Sequence, residues 1–165
     1  MGASLGAEWA RTWLRLAAAE ISRRRIDLIE LDRAIGDGDH GENMDRGFTA
    51  ILEREDPELP TAADVLRSAA TTLISTVGGA AGPLYGTALL RAAKATQGEE
   101  VLGPDHVVAL LAAALRGIQD RGKAEEGEKT MVDAWAPALA AAREAAGTGA
   151  DAVGVLRVAA AAAAA

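Results

Sequence analysis

The chain has 165 residues, half of them apolar, which fits one domain with a sizeable core. A formal net charge of −7 argues against nucleic-acid or anionic-membrane partners, and the absence of cysteine excludes disulfides and thiolate chemistry. Residues 1–13 lack a basic-then-apolar signal pattern, and no stretch of about 18 uncharged apolar residues exists to span a bilayer. We therefore expect a single cytoplasmic domain over residues 1–165.

Apolar residues recur at helical spacing throughout, and no two-residue alternation persists long enough to predict strands. Abundant alanine and only 3% aromatic residues favour closely packed helices over a β-sandwich. The connections are mostly short, which implies antiparallel neighbours. The predicted fold is all-α, an antiparallel up-and-down eight-helix barrel or bundle. Its helices are predicted near residues 9–17, 22–34, 42–52, 61–77, 83–95, 105–119, 131–146 and 151–165.

Local signals fix parts of this prediction. Thr61 followed by Asp64 resembles a weak capping box, and Pro83 suits the first turn of the fifth helix. The alanine-rich tail, residues 159–165, is of low complexity and is compatible with a true helix. The apolar members of the second predicted helix are Ile26, Leu28, Ile29, Leu31 and Ile35.

The first break between helices, residues 36–41, reads GDGDHG and contains the Gly-x-Gly-x-x-Gly spacing of dinucleotide-binding turns. That motif needs a preceding strand, whereas a helix precedes it here, and Asp37 and Asp39 would repel a bare pyrophosphate. A calcium-binding loop would need glycine and glutamate at its sixth and twelfth positions, where Glu42 and Phe48 stand. Both interpretations fail.

Magnesium binding is the interpretation that remains. Asp32, Asp37 and Asp39 flank a helix terminus closely enough to converge on one point. Carboxylate oxygens suit Mg²⁺, which usually completes its shell with waters and substrate phosphates. His40 and Asn43 add donors, and a following helix offers free N–H groups to an anion. A solvated acidic turn that caps a helix is the alternative, but this longer set of acids, glycines, His and Asn exceeds what capping requires.

Two further breaks between predicted helices follow the acidic segment along the chain. Residues 78–83, GGAAGP, precede a helix whose free amides could bind an anion, or their glycines could merely allow close helix crossing. Residues 121–130 are one residue out of register with a P-loop and follow no strand, so a P-loop is rejected. Lys123 and Lys129 could still cover a nucleotide there, and Thr130 could cap the next helix.

Three long strings carry a family resemblance. GDGDHGENMDRGF, GGAAGPLYGTALLRAA and RGKAEEGEKTMVDAWAP follow one another, within residues 9–146, as in the L subunits of dihydroxyacetone kinases, which this chain resembles. The resemblance implies an α-helical barrel that holds ADP or ATP at one rim through two Mg²⁺ ions. It implies Asp32, Asp37 and Asp39 as metal ligands. The implied nucleotide-binding residues are His40, Gly41, Glu42, Asn43, Ala80, Ala81, Gly122 and Met131.

The resemblance also implies the reaction. The γ-phosphoryl group would pass to dihydroxyacetone on a separate K subunit, and this chain would supply no catalytic side chain of its own because bound nucleotide and metal carry the transfer. In one branch of the family a phosphohistidine M subunit recharges the bound ADP, and in the other ATP exchanges. The start at Met1 without a preceding K-like domain favours the first branch. An ATP-dependent kinase domain, a related domain of fatty-acid kinases and an ADP-liganded regulatory module are the alternatives.

Two departures from the family pattern bear on binding. Ala81 stands where the family usually has serine, so a hydroxyl contact to phosphate would be lost. The family also continues with an arginine-bearing segment and an Asp-Pro-Gly motif, where this chain ends in polyalanine. We therefore expect a C-terminal part of the family's pocket to be missing and nucleotide affinity to be lower.

Overall fold

The computed structural model describes residues 5–165, and over this range it contains eight α-helices and no strand. This confirms the predicted all-α, up-and-down architecture. Residues 1–4, which belong to the predicted domain and to the leading segment without a signal pattern, lie outside the described residues. The helices are α1 (Ala7–Arg23), α2 (Arg25–Arg33), α3 (His40–Glu53), α4 (Ala62–Thr76), α5 (Ala81–Ala95), α6 (Pro104–Gly122), α7 (Val132–Gly147) and α8 (Ala152–Ala163).

The helix starts follow local chemistry. Thr61 caps α4 by accepting the Asp64 N–H at 3.2 Å, although the Asp64 carboxylate accepts the Thr61 hydroxyl and so does not complete a capping box. Asp151 caps α8 by accepting the Gly154 N–H at 2.7 Å. Helix α5 begins at Ala81, two residues before the predicted start at Pro83. Proline is tolerated within this first turn because its missing N–H would have no intrahelical partner there.

The second predicted helix needs correction. The predicted helix is interrupted at Arg24, so residues 22–34 are divided between the end of α1 and a nine-residue α2. Of its apolar residues, only Ile29 is buried, whereas Leu31 and Ile35 are 69% and 93% exposed. The amphipathic interpretation is wrong for these residues because α2 lies outside the core and packs mainly against α3.

Neighbouring helices in the chain are neighbours in space. Helix α1 packs against α3 and α4, and α4 to α8 follow one another side by side. Within residues 5–165, α8 makes no backbone contact with α1. Helix α1 and helices α4 to α8 line an apolar cavity of about 400 Å³, to which Trp9, Trp13 and Trp135 contribute. Alanines pack closely elsewhere in the core, as the composition predicts.

The up-and-down order places the glycine-rich and polar segments on one rim. The start of α3, the end of α4, the start of α5 and the end of α6 meet there. On the opposite rim, the Leu102 N–H donates to the Leu5 carbonyl at 3.0 Å and ties the α5–α6 connection to the start of the described chain. No helix among the described residues combines the length and the apolar character that crossing a membrane requires.

Candidate functional site

Three carboxylates converge on this rim. Asp32 lies in the last turn of α2, Asp37 in the connection that follows, and Asp39 immediately before α3. One carboxylate oxygen from each lies within 4.8 Å of the other two. Asp32 is half-buried, whereas Asp37 and Asp39 are exposed and accessible to a ligand. The structure thus brings together the three predicted metal ligands.

Backbone hydrogen bonds and two glycines hold this arrangement. Asp32 Oδ2 accepts the N–H groups of Asp39 at 2.9 Å and His40 at 3.2 Å, which fixes the start of α3 against the end of α2. A Cβ on Gly36 would stand 2.4 Å from Asp32 Oδ1. Gly38 has a φ of +77°, a left-handed conformation that favours glycine. The connection therefore depends on glycine for both space and conformation.

The first turn of α3 presents free N–H groups beside the carboxylates. Among the described residues, neither Gly41 nor Glu42 donates its N–H to an acceptor. The Glu42 side chain pairs with the Arg25 guanidinium, so Glu42 can face a nucleotide only through its backbone. Gly41 is buried beneath the Arg25 carbonyl, with no room for a side chain. This turn is suited to an anion at a helix N-terminus.

Asn43 joins the first glycine-rich segment to the second. The residue is only 7% exposed, and its side-chain amide lies beside Gly78, whose added Cβ would be 3.6 Å from Oδ1 and 3.7 Å from Nδ2. Ala80 precedes α5 and Ala81 begins it, so the backbone amides of this second helix start lie on the same rim. At Gly82 an added Cβ would stand 2.3 Å from the Val77 carbonyl. This glycine serves close packing, one of the two roles the sequence left open.

The third segment begins beside the second. Gly122 ends α6, and an added Cβ there would lie 3.1 Å from Leu84 Cδ2 in the first turn of α5. Thr130 Oγ1 accepts the Val132 N–H at 3.2 Å, but the residue that precedes α7 as its N-cap is Met131, which makes no side-chain cap hydrogen bond, so the predicted capping role of Thr130 is not confirmed. Met131 is partly buried against the core. Its predicted contact with an adenine face stays a prediction.

Sequence reasoning missed the residue that shapes this third segment. The Asp133 carboxylate accepts the N–H groups of Gly127 at 2.6 Å, Lys129 at 2.8 Å and Thr130 at 3.3 Å. These hydrogen bonds, first that from Gly127, lower the pKa of Asp133 because they stabilise its charged form. The available signal was an aspartate in the first turn of α7, a position from which its side chain can reach back to the preceding amides.

Comparisons with known proteins identify the family of the chain. The DAK2 domain model matches residues 34–165. The chain is 43% identical over 136 residues to the ADP-binding subunit of PEP-dependent dihydroxyacetone kinase 1 of Listeria innocua, covering 80% of this chain and 67% of that protein. It is 42% identical over 137 residues to the ADP-binding subunit of the Escherichia coli PEP-dependent dihydroxyacetone kinase, covering 80% of this chain and 63% of that protein. The chain thus spans about two thirds of the length of these curated relatives.

A solved structure shares the fold. The dihydroxyacetone kinase of C. freundii, in complex with AMP-PNP and Mg²⁺, matches with a TM-score of 0.69 and 25% identity, over 96% of this chain and 33% of that one. The helical architecture, the three glycine-rich and polar segments on one rim and the family match lead to the same assignment. The chain belongs to the DAK2 domain family of dihydroxyacetone kinases.

Proposed function

We propose that this chain binds ADP or ATP through Mg²⁺ held by Asp32, Asp37 and Asp39. The observation that carries the proposal is the convergence of their oxygens within 4.8 Å at the start of α3. Adjacent ligands of an octahedral Mg²⁺ lie about 3.0 Å apart and opposite ligands about 4.2 Å, so the carboxylates would have to move closer together by up to about 2 Å to share one ion, which the exposed side chains of Asp37 and Asp39 allow. A second ion, which the family resemblance implies, would draw on the remaining oxygens of Asp37 and Asp39, because Asp32 Oδ2 already accepts the N–H groups of Asp39 and His40.

A cation also resolves the charge problem of this rim. Three carboxylates face the position where phosphates would lie, and the protein carries a net charge of −7. The free N–H groups of Gly41 and Glu42 are partial charges only and cannot offset three full ones. Bound Mg²⁺ would supply the charge that polyphosphate binding and phosphoryl transfer require. His40, Asn43, Ala80, Ala81, Gly122 and Met131 are the remaining residues we propose to surround the nucleotide.

We further propose that the nucleotide serves to phosphorylate dihydroxyacetone held on a K subunit, with an M subunit recharging the bound ADP. The names of the Listeria and Escherichia relatives support the PEP-dependent branch, because they describe ADP-binding subunits of PEP-dependent kinases. The residues of this chain would position the phosphoryl donor between metal and backbone amides. The acceptor hydroxyl and its activation would belong to the partner.

Titration calorimetry with Mg-ADP tests the binding proposal. We expect the wild-type chain to bind with measurable heat and Asp37→Asn to lose at least about tenfold in affinity, because one metal ligand is removed. Asp105→Asn is the matched control, since this exposed aspartate starts α6 on the opposite rim and the net charge changes equally. Equal affinity of wild type and Asp37→Asn would contradict the metal assignment.

A reconstituted assay tests the proposed reaction. Purified chain would be mixed with K and M subunits, phosphorylated M as donor and dihydroxyacetone as acceptor, and dihydroxyacetone phosphate would be measured. We expect product with phosphorylated M when the chain holds only ADP. Product with added ATP alone would place the chain in the ATP-dependent branch, and binding of Mg-ADP without product from either donor would indicate a regulatory module.

A further inference from the structure

Arg46, a residue outside the predicted site, joins two of its segments. It lies in the second turn of α3, where its Nη2 donates to Asn43 Oδ1 and its Nε donates to the Thr76 carbonyl at 3.2 Å. Thr76 is the last residue of α4, so its carbonyl has no intrahelical partner. A guanidinium satisfies this carbonyl and suits the negative end of the α4 dipole. Arg46 therefore fastens the start of α3 to the end of α4.

The same contact determines which way the Asn43 amide faces. A guanidinium can only donate hydrogen bonds, so the Asn43 atom that it contacts must be the oxygen. Asn43 Nδ2 then donates to no acceptor among residues 5–165, although the residue is only 7% exposed. The only fully enclosed side-chain nitrogen without a partner in this range is Arg11 Nε, so Asn43 Nδ2 keeps some contact with solvent. An unused donor on an almost buried amide indicates a ligand acceptor.

We propose that Arg46 is a positioning residue that locks the Asn43 amide with Nδ2 directed at a phosphate oxygen of the bound nucleotide. This inference rests on the proposed function and extends it to a residue that does not touch the ligand. Without Arg46 the amide is free to turn and offer its oxygen, an acceptor that repels phosphate. The guanidinium charge itself is already engaged by Asn43 and by the end of α4.

A double-mutant cycle with Mg-ADP affinity as readout tests this role. The variants are Arg46→Met, Asn43→Ala and the combination of the two. We expect each single variant to weaken binding about tenfold, because a hydrogen bond from a neutral donor to a charged phosphate is lost. In the Asn43→Ala background, removal of Arg46 should cost less than about twofold. Equal losses in both backgrounds would show that Arg46 attracts the nucleotide directly and would overturn the proposal.

Two further variants separate positioning from charge. Arg46→Lys keeps the charge but lacks the planar fork that reaches both acceptors, so we expect it to bind as weakly as Arg46→Met. Wild-type affinity in Arg46→Lys would overturn the proposal. Arg54→Met, which removes an exposed arginine at the other end of α3, should leave affinity unchanged and controls for net charge. Thermal unfolding without ligand, measured on every variant, reports any separate effect of Arg46 on the fold.

Asn43→Asp keeps the test usable if Asn43→Ala fails to fold. Aspartate preserves the shape of the side chain and still accepts from Arg46, but it replaces the donor by an anionic oxygen. We expect it to weaken Mg-ADP binding by more than tenfold, and wild-type affinity in this variant would overturn the proposal. Absence of binding by the wild-type chain would overturn the proposed function and this inference with it. Binding by the wild type with additive losses would overturn only the role of Arg46.

Discussion

A single methyl group at Gly36 should disrupt the metal site without changing any charge. In Gly36→Ala the new Cβ would stand 2.4 Å from Asp32 Oδ1, about 1 Å closer than ordinary van der Waals contact allows. Asp32 must rotate away, and its Oδ2 then loses the N–H groups of Asp39 and His40. Hydrogen bonds to a charged group contribute about 1.5–3 kcal/mol each. The cluster is largely exposed, so we assign about 1.5–3 kcal/mol to the loss of the two hydrogen bonds together. This free energy corresponds to a loss of about 10- to 100-fold in Mg-ADP affinity.

Calorimetric titration of Mg-ADP into Gly36→Ala measures this loss directly. Gly147→Ala is the matched control, because this glycine ends α7 and an added Cβ there meets no atom within 4 Å. The control should bind as tightly as the wild type and have equal or slightly higher stability. Wild-type affinity in a folded Gly36→Ala protein would refute the reasoning, since it would show that the Asp32 carboxylate need not occupy its position against Gly36.

Three other predictions concern stability and pH. Gly47→Ala should lower the free energy of unfolding by about 1–3 kcal/mol in urea titrations, because its Cβ would stand 2.1 Å from Val77 Cγ2 in a buried contact. An unchanged urea midpoint would contradict this close packing of Gly47 against Val77. Thr61→Ala should cost about 1 kcal/mol in the same assay through loss of the α4 cap, whereas Thr61→Ser should restore it. The pKa of Asp133 is lowered in the folded protein, so its hold on the third segment is complete above the ordinary value of 3.8 and is lost as pH falls through the lower folded value. The amide NMR shifts of Gly127 and Lys129 should therefore titrate below pH 3.8 in the wild type and not in Asp133→Asn, and a midpoint above 3.8 would contradict the hydrogen bonds.

The helical fold follows from the sequence because apolar periodicity and caps are local signals. Thr61 and Asp151 mark helix starts in the sequence and act as caps in the structure. The exposure of Leu31 and Ile35 was not predictable in this way, since it depends on where α2 lies relative to the core. Periodicity indicates that a helix has an apolar face but not whether another element covers that face.

The acidic cluster could be predicted from the sequence because it too depends on local signals. Asp32, Asp37 and Asp39 lie within eight residues of one another, so a single turn brings them together. The contacts of Arg46 with Asn43 and Thr76 span two helices, and only the pairing of α3 with α4 creates them. Sequence reasoning therefore identified the residues proposed to touch the ligand and missed Arg46, which we propose positions one of them, Asn43.

The dependence of ADP binding on magnesium tests the central claim most directly. ADP would be titrated into the wild-type chain at one ionic strength, once with excess Mg²⁺ and once with EDTA. The three converging carboxylates predict binding with Mg²⁺ and at least about 100-fold weaker binding in EDTA, because unscreened acids would then face the phosphates. Equal affinity under both conditions would contradict the claim that this acidic rim holds its nucleotide through a metal ion.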